Sequence, residues 1–216
     1  MKKYLLFYVL FCLNTFSSEA LPENMKSSPV FHISSIPESI KQQMRKTIWY
    51  PGCPVTLSQL AYLQLSFWGV DGQSHTGVLI VNRKLAIDVM TIFYALYQSH
   101  FPIARMQPMY SFHGNDLASM AANNTTGFQC RSIVDSKNFS EHAYGYAIDI
   151  NPLVNPYING KLVEPSQGQN YVTRNKVQPG MISHNSIVYQ IFHSHGWQWG
   201  GDWQTLKDYQ HFEKTH

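Results

Sequence analysis

The clearest pattern in the chain is a pair of apolar runs around a turn. Residues 60–68 read Leu-Ala-Tyr-Leu-Gln-Leu-Ser-Phe-Trp, rich in aromatic and aliphatic side chains, and predict a strand. Asp71-Gly72 is a turn pair, and 77–81 predicts the returning strand. From 83 to 98 the apolar positions are Leu85, Val89, Ile92, Phe93, Leu96 and Tyr97, a spacing of three and four that predicts the main helix. Shorter helices are predicted at 35–45, with Ser35 as cap and Pro37 in the first turn, and at 116–122. Another is predicted at 186–193, closed by Gly196 as a left-handed cap. Ala147-Ile148-Asp149-Ile150 is a short apolar strand stopped by Asn151-Pro152. Residues 21–35 read as a loose lead-in and 123–127 as a loop. Residues 152–180, rich in Pro, Gly and Asn, read as a long ordered excursion, and 197–213 as a strand-bearing tail. Strands and helices alternate without a βαβ rhythm, which predicts α+β rather than a doubly wound sheet.

Composition narrows the function. The chain has 216 residues, 44% apolar, enough for one globular core. Charged residues are only 13% and net charge is +3, with no run of like charges. That argues against a disordered chain and against phosphate-backbone binding, so no nucleic-acid partner is expected. Lys2 and Lys3 precede an apolar run over 4–13, followed by Ser17-Ser18-Glu19-Ala20. This is the pattern of a signal peptide over 1–20, too short to span a bilayer. The mature chain is expected to be exported, periplasmic or secreted, with no membrane anchor left after cleavage. Its expected organisation is a lead-in with a short helix over 21–47 and one domain over 48–216. Cleavage removes Cys12 and leaves Cys53 and Cys130. In an oxidising compartment such a pair reads as one disulfide, the alternative being two buried thiols.

The chemistry concentrates in two places. His142 and Asp149 flank Gly145, which permits a turn that larger residues resist. Asp208 and His211 supply a second carboxylate and imidazole. His142, Asp149 and His211 would make three protein ligands and leave a fourth tetrahedral position for water, as in a catalytic zinc site. Asp208 would be the spare carboxylate that takes a proton. Spacing alone also allows a solvated His and an Asp ending a strand, but a carboxylate within a buried strand needs a partner.

These residues carry a resemblance. Ser140-x-His142-x-x-Gly145-x-Ala147-x-Asp149-Ile150 and Asp208-x-x-His211-Phe212-Glu213 resemble the zinc D-alanyl-D-alanine carboxypeptidase family, which also holds L-alanyl-D-glutamate endopeptidases. Supporting stretches are Asn123-Asn124-Thr125-x-x-Phe128-x-Cys130-Arg131 and Gly196-Trp197-x-Trp199-Gly200-Gly201-x-Trp203, so that the resemblance runs from about Cys53 to Glu213. It implies an α+β fold of the hedgehog / D-Ala-D-Ala zinc-peptidase type, a small antiparallel sheet with flanking helices. It implies one zinc per chain on His142, Asp149 and His211, and peptidoglycan or its peptide fragments as substrate. Asp208 stands at the general-base position, where many members carry Glu. In a straight strand positions three apart face opposite sides, so Asp208 and His211 converge only if the chain bends between them. Glu213 is the alternative base. Arg131 resembles the arginine that steadies the scissile carbonyl oxygen, with a surface salt bridge as the plain alternative. Ser140 resembles a serine that contacts substrate or supports a ligand, with a turn hydroxyl as the alternative.

His195 is either a support to the site or a helix-terminal imidazole. Asp116 either caps a helix or orients Arg131, the cap being the simpler reading. Of Trp197, Trp199 and Trp203, at least two are expected in the core rather than in a cleft. Two rivals remain: a catalytically silent, zinc-containing cell-wall binding module of the same fold, and a secreted His-metal nuclease, which the missing basic patch disfavours.

Overall fold

Phe31–Ser34 (β1), Leu60–Trp68 (β2) and Ser74–Asn82 (β3) form one antiparallel sheet in that order in the computed structural model, which describes residues 28–133 and 136–216. The expected signal peptide lies outside these residues. β2 and β3 pair over their full length, from Leu60 opposite Asn82 to Trp68 opposite Ser74, around the predicted turn. β1 corrects the expectation of a loose lead-in: Phe31 and Ile33 pack on the core from an edge strand. The four residues of this strand are too few for a period of two to stand out. The first helix, α1 (Glu38–Thr47), begins after Pro37, whose carbonyl accepts the first helical N–H groups; Ser35 does not cap it.

The main helix is a 3₁₀ turn, Arg83–Leu85, capped by Asn82, running into α2 (Ala86–Gln98). Val89, Ile92, Phe93 and Leu96 are all buried on its inner face, which lies across β2. The chain then passes through β4 (Arg105–Met106), α3 (Asp116–Ala121) and β5 (Asn124–Thr125), with β4 and β5 pairing in parallel. The expected loop over 123–127 thus contributes a two-residue strand.

α4 (Glu141–Tyr144) is a single turn leading into β6 (Ala147–Asp149). The excursion over 152–180 is ordered, as expected, and contains the hairpin of β7 (Tyr157–Asn159) and β8 (Leu162–Glu164). Asn155, fully buried, ties it down by donating to the carbonyls of Ile150 at 3.1 Å and Gly180 at 2.9 Å. α5 (Ile187–Ser194) packs on α2 and ends near Gly196, whose φ of 75° is left-handed as predicted. The tail supplies β9 (Gln198–Trp199), β10 (Lys207–Asp208) and β11 (His211–Glu213). These build two more antiparallel sheets, β6-β11-β9 and β10-β7-β8. The fold is therefore α+β, with small, mainly antiparallel sheets and flanking helices.

Two apolar clusters hold it together. One joins β2, β3 and α2 to β6, α5 and β11 through Phe93, Ile148, Phe192 and Phe212. The other gathers Met44, Ile48, Leu60, Ile80 and Phe128 around Cys130. Cys130 is disulfide-bonded to Cys53, with their Cα atoms 5.9 Å apart and a sequence separation of 77.

Candidate metal centre

His142, Asp149 and His211 come together as the sequence predicts, from three different local structures. His142 sits on the turn α4 rather than in a loop. Ser140 caps that turn, its Oγ accepting the His142 N–H at 3.3 Å. Gly145 ends it at φ 74°, and a Cβ there would meet the Asn82 nitrogen at 2.5 Å. Glycine is required by both the turn and the close approach. Asn82 completes the clamp: its N–H donates to the Gly145 carbonyl at 2.9 Å and its side chain to the Tyr144 carbonyl at 2.9 Å. Asp149 ends β6 directly opposite His211 on β11. Its backbone also exchanges two hydrogen bonds with Thr126, at 3.0 and 2.9 Å.

All three side chains are buried, His142 to 2% exposure and Asp149 and His211 to 5%. His142 Nδ1 donates to the Gly127 carbonyl at 2.6 Å, which leaves Nε2 as the acceptor. His211 Nε2 donates to Glu213 Oε2 at 3.0 Å, which leaves Nδ1. The two free nitrogens turn toward Asp149, His142 Nε2 at 3.1 Å from Oδ2 and His211 Nδ1 at 3.1 Å from Oδ1. Their own separation is 3.2 Å, and the three ligand atoms lie within 4.8 Å of one another. Two imidazoles, each fixed by a hydrogen bond at its other nitrogen, plus one carboxylate, form a donor set that fits a zinc-like divalent ion.

The charges point the same way. Burial opposes ionisation of Asp149, but His142 and His211 outweigh it and hold the carboxyl well below its usual range. Burial likewise opposes the imidazolium of His211, yet Asp149 and Glu213 push it up to about 10. Without a metal, a proton balances this cluster, and a bound cation would displace it.

Asp208 stands apart. Its Oδ1 is buried with no hydrogen-bond partner. Burial pushes its carboxyl up to about 6; His211 opposes that rise and Asp149 adds to it. The expected bend is present: β10 belongs to one sheet and β11 to another, with Tyr209 and Gln210 between them. Gly200 lets the chain pass, since a Cβ there would meet Asp208 O at 2.6 Å and Asp208 Cβ at 2.9 Å.

Arg131 follows the disulfide cysteine, and its carbonyl accepts the Ser140 N–H at 3.1 Å. Its Nε is 3.2 Å from Asp116 Oδ2, without hydrogen-bond alignment. This corrects the simpler reading of Asp116 as a cap. Asn115, one residue earlier, takes that role by accepting the Ala118 N–H at 3.0 Å, and leaves Asp116 for Arg131. His195 supports no ligand: its Nδ1 is 2.6 Å from Asp88 on α2. Trp197 and Trp199 are in the core, whereas the Trp203 ring lies 5.3 Å from that of His211. The Gly127 carbonyl carries no signal in the sequence, and Glu213, expected only as an alternative base, instead accepts from the His211 ring. Glu213, two residues along the strand from His211, shares its face, and that spacing is the signal for the pairing.

Residues 134–214 match the family model for D-alanyl-D-alanine carboxypeptidase. No curated protein and no solved structure matches the chain. The matched stretch holds His142, Asp149, Asp208 and His211 and begins beyond Arg131. The match supports the resemblance carried by the two motifs: residues 134–214 are similar to the D-alanyl-D-alanine carboxypeptidase family.

Proposed function

We propose that this protein is an exported zinc peptidase, with one zinc per chain, that hydrolyses amide bonds in peptidoglycan stem peptides. The arrangement we assign is the hedgehog / D-Ala-D-Ala zinc-peptidase type. The observation that carries the reading is the convergence of three buried, oriented ligand groups with a separate carboxylate, within the matched segment. The Cys53–Cys130 disulfide and the signal-like start support export. No helix among the described residues is long and apolar enough to cross a membrane.

His142, Asp149 and His211 would hold the metal, which when bound polarises water and the scissile carbonyl. Asp208 takes the proton of the attacking water and returns it to the leaving amine. A carboxyl raised to about 6 suits both halves of that transfer near neutral pH. Arg131, paired with Asp116, offers its guanidinium to the charge that develops on the carbonyl oxygen. Ser140, beside it in space, is assigned to substrate contact with Arg131.

Digesting purified muropeptides with the zinc-loaded protein and weighing the products tests this. Loss of a terminal alanine marks a carboxypeptidase, and an internal cut marks an endopeptidase. No product at all would favour the silent binding module. His211→Ala should lose both zinc and cleavage, and full zinc occupancy in that variant would overturn the ligand set.

A further inference from the structure

The sheet that carries Asp208 does not end at the site. Asp208 on β10 stands opposite Tyr157 on β7, and Tyr157 stands opposite Glu164 on β8. Directly paired residues of antiparallel strands project to the same face, so these three form one row. Two strand spacings separate the backbones of Asp208 and Glu164, roughly 10 Å.

A groove of about 440 Å³ lies at the far end of that row, between the β8 segment and α3. Leu162, Val163 and Pro165 line one wall, and Leu117, Ala118 and Ala121 the other. Glu164 lines it too, half-buried, and has no ion pair among the described residues. Both walls run back to the candidate centre. α3 brings Asp116 to Arg131 at 3.2 Å and Met120 to the side chain of Gln210 at 3.4 Å. β8 reaches Asp208 through β7. The groove is therefore built on the same helix and the same sheet that hold Asp116 and Asp208.

We infer that this groove is a specificity subsite for a peptide residue with an aliphatic side chain ending in a cationic amine, with Glu164 receiving the amine. This rests on the peptidase reading above. Apolar walls suit methylene groups, and a lone carboxylate at the wall suits an ammonium. Ten ångströms is the reach of about three extended residues, or of one residue plus a long side chain. The amine-bearing residue therefore lies one or two positions from the bond that is cut.

The probes are the pentapeptide L-Ala–D-Glu–L-Lys–D-Ala–D-Ala and its form acetylated on the lysine amine. Calorimetry uses zinc-loaded protein with Asp208→Ala to stop turnover. The amine form should bind about three- to tenfold more tightly, as a partly shielded charge pair allows. Adding Glu164→Gln should abolish that preference, and Glu164→Lys should invert it. A preference unchanged in Glu164→Gln, no preference at the outset, or no binding of either probe would overturn the subsite. Cleavage of both peptides by the unmutated protein without discrimination would overturn the subsite and leave the peptidase reading. A Glu164-dependent preference in binding with no cleavage by the unmutated protein would sink the peptidase reading and leave the subsite.

Discussion

Asp208 and Glu213 lie on either side of His211 and are expected to fail differently. Asp208 has an unpartnered buried oxygen, whereas Glu213 is already engaged by the His211 ring. Asp208→Ala should keep the metal and lose about 10²–10⁴ in turnover, the range for a positioned base. Glu213→Gln should instead weaken metal affinity about 10–100-fold, with activity recovering as zinc is added. Zinc titration beside single-turnover rates separates the two, and a Glu213→Gln variant that stays inactive at saturating zinc would return the base role to Glu213. Gly200→Ala probes the same carboxylate from behind, because the new Cβ would sit 2.6 Å from Asp208 O. It should lower kcat with metal content unchanged; an unaffected kcat would show that Asp208 tolerates displacement. The candidate ligands were legible through the resemblance of the two motifs, since spacing alone leaves a solvated His and a strand-ending Asp open and only the buried carboxylate of Asp149 asks for a partner. The Gly127 carbonyl was not, because a backbone acceptor leaves no side-chain signature.

Among the elements, legibility followed length. Thirteen residues of helical spacing in α2 and nine strand residues in β2 left little ambiguity. β4, β5, β9 and β10 have two residues each, and no period can be read from two positions. Such strands exist because neighbours fix them, as Asn124 does by bonding both the N–H and the carbonyl of Gln107. α2 also anchors the tail through Asp88. This carboxylate meets His195 Nδ1 at 2.6 Å, Trp197 Nε1 at 3.0 Å and Lys214 Nζ at 2.9 Å. Burial opposes its charge, but Lys214, His195 and Trp197 together hold its pKa below the usual value. The folded value lies below the unfolded one, about 3.9, so the stabilisation is complete above that pH. It is lost as pH falls through the depressed folded value. Asp88→Asn should cost about 1–3 kcal/mol at neutral pH. Urea unfolding should show that gap closing below about pH 4, and a gap constant down to acid pH would contradict the linkage.

For the molecule as a whole, the disulfide is the covalent constraint described. It joins the segment after α1 to the residue beside Arg131 across a separation of 77 residues. Closing a loop of that size removes at most about 4.5 kcal/mol of unfolded-chain entropy. Replacing both cysteines with alanine should therefore lower the unfolding free energy by about 2–4 kcal/mol. Without reduction, the intact protein should weigh two hydrogens less than its reduced form. Identical denaturation midpoints with and without reductant would refute the stabilising role. The pairing was legible only as an expectation from export, since sequence spacing does not bring two sulfurs together.

The pairing of Asp149 with His211 also has a practical use. Sliding β11 by one residue turns every one of its side chains to the opposite face. His211 and Glu213 would leave the cluster, and the fully buried Phe212 would leave the core in the same movement. Correct alignment and metal uptake therefore rise or fall together. For protein recovered from inclusion bodies, a colorimetric zinc titration would count the fraction of molecules refolded in register, without any need for substrate.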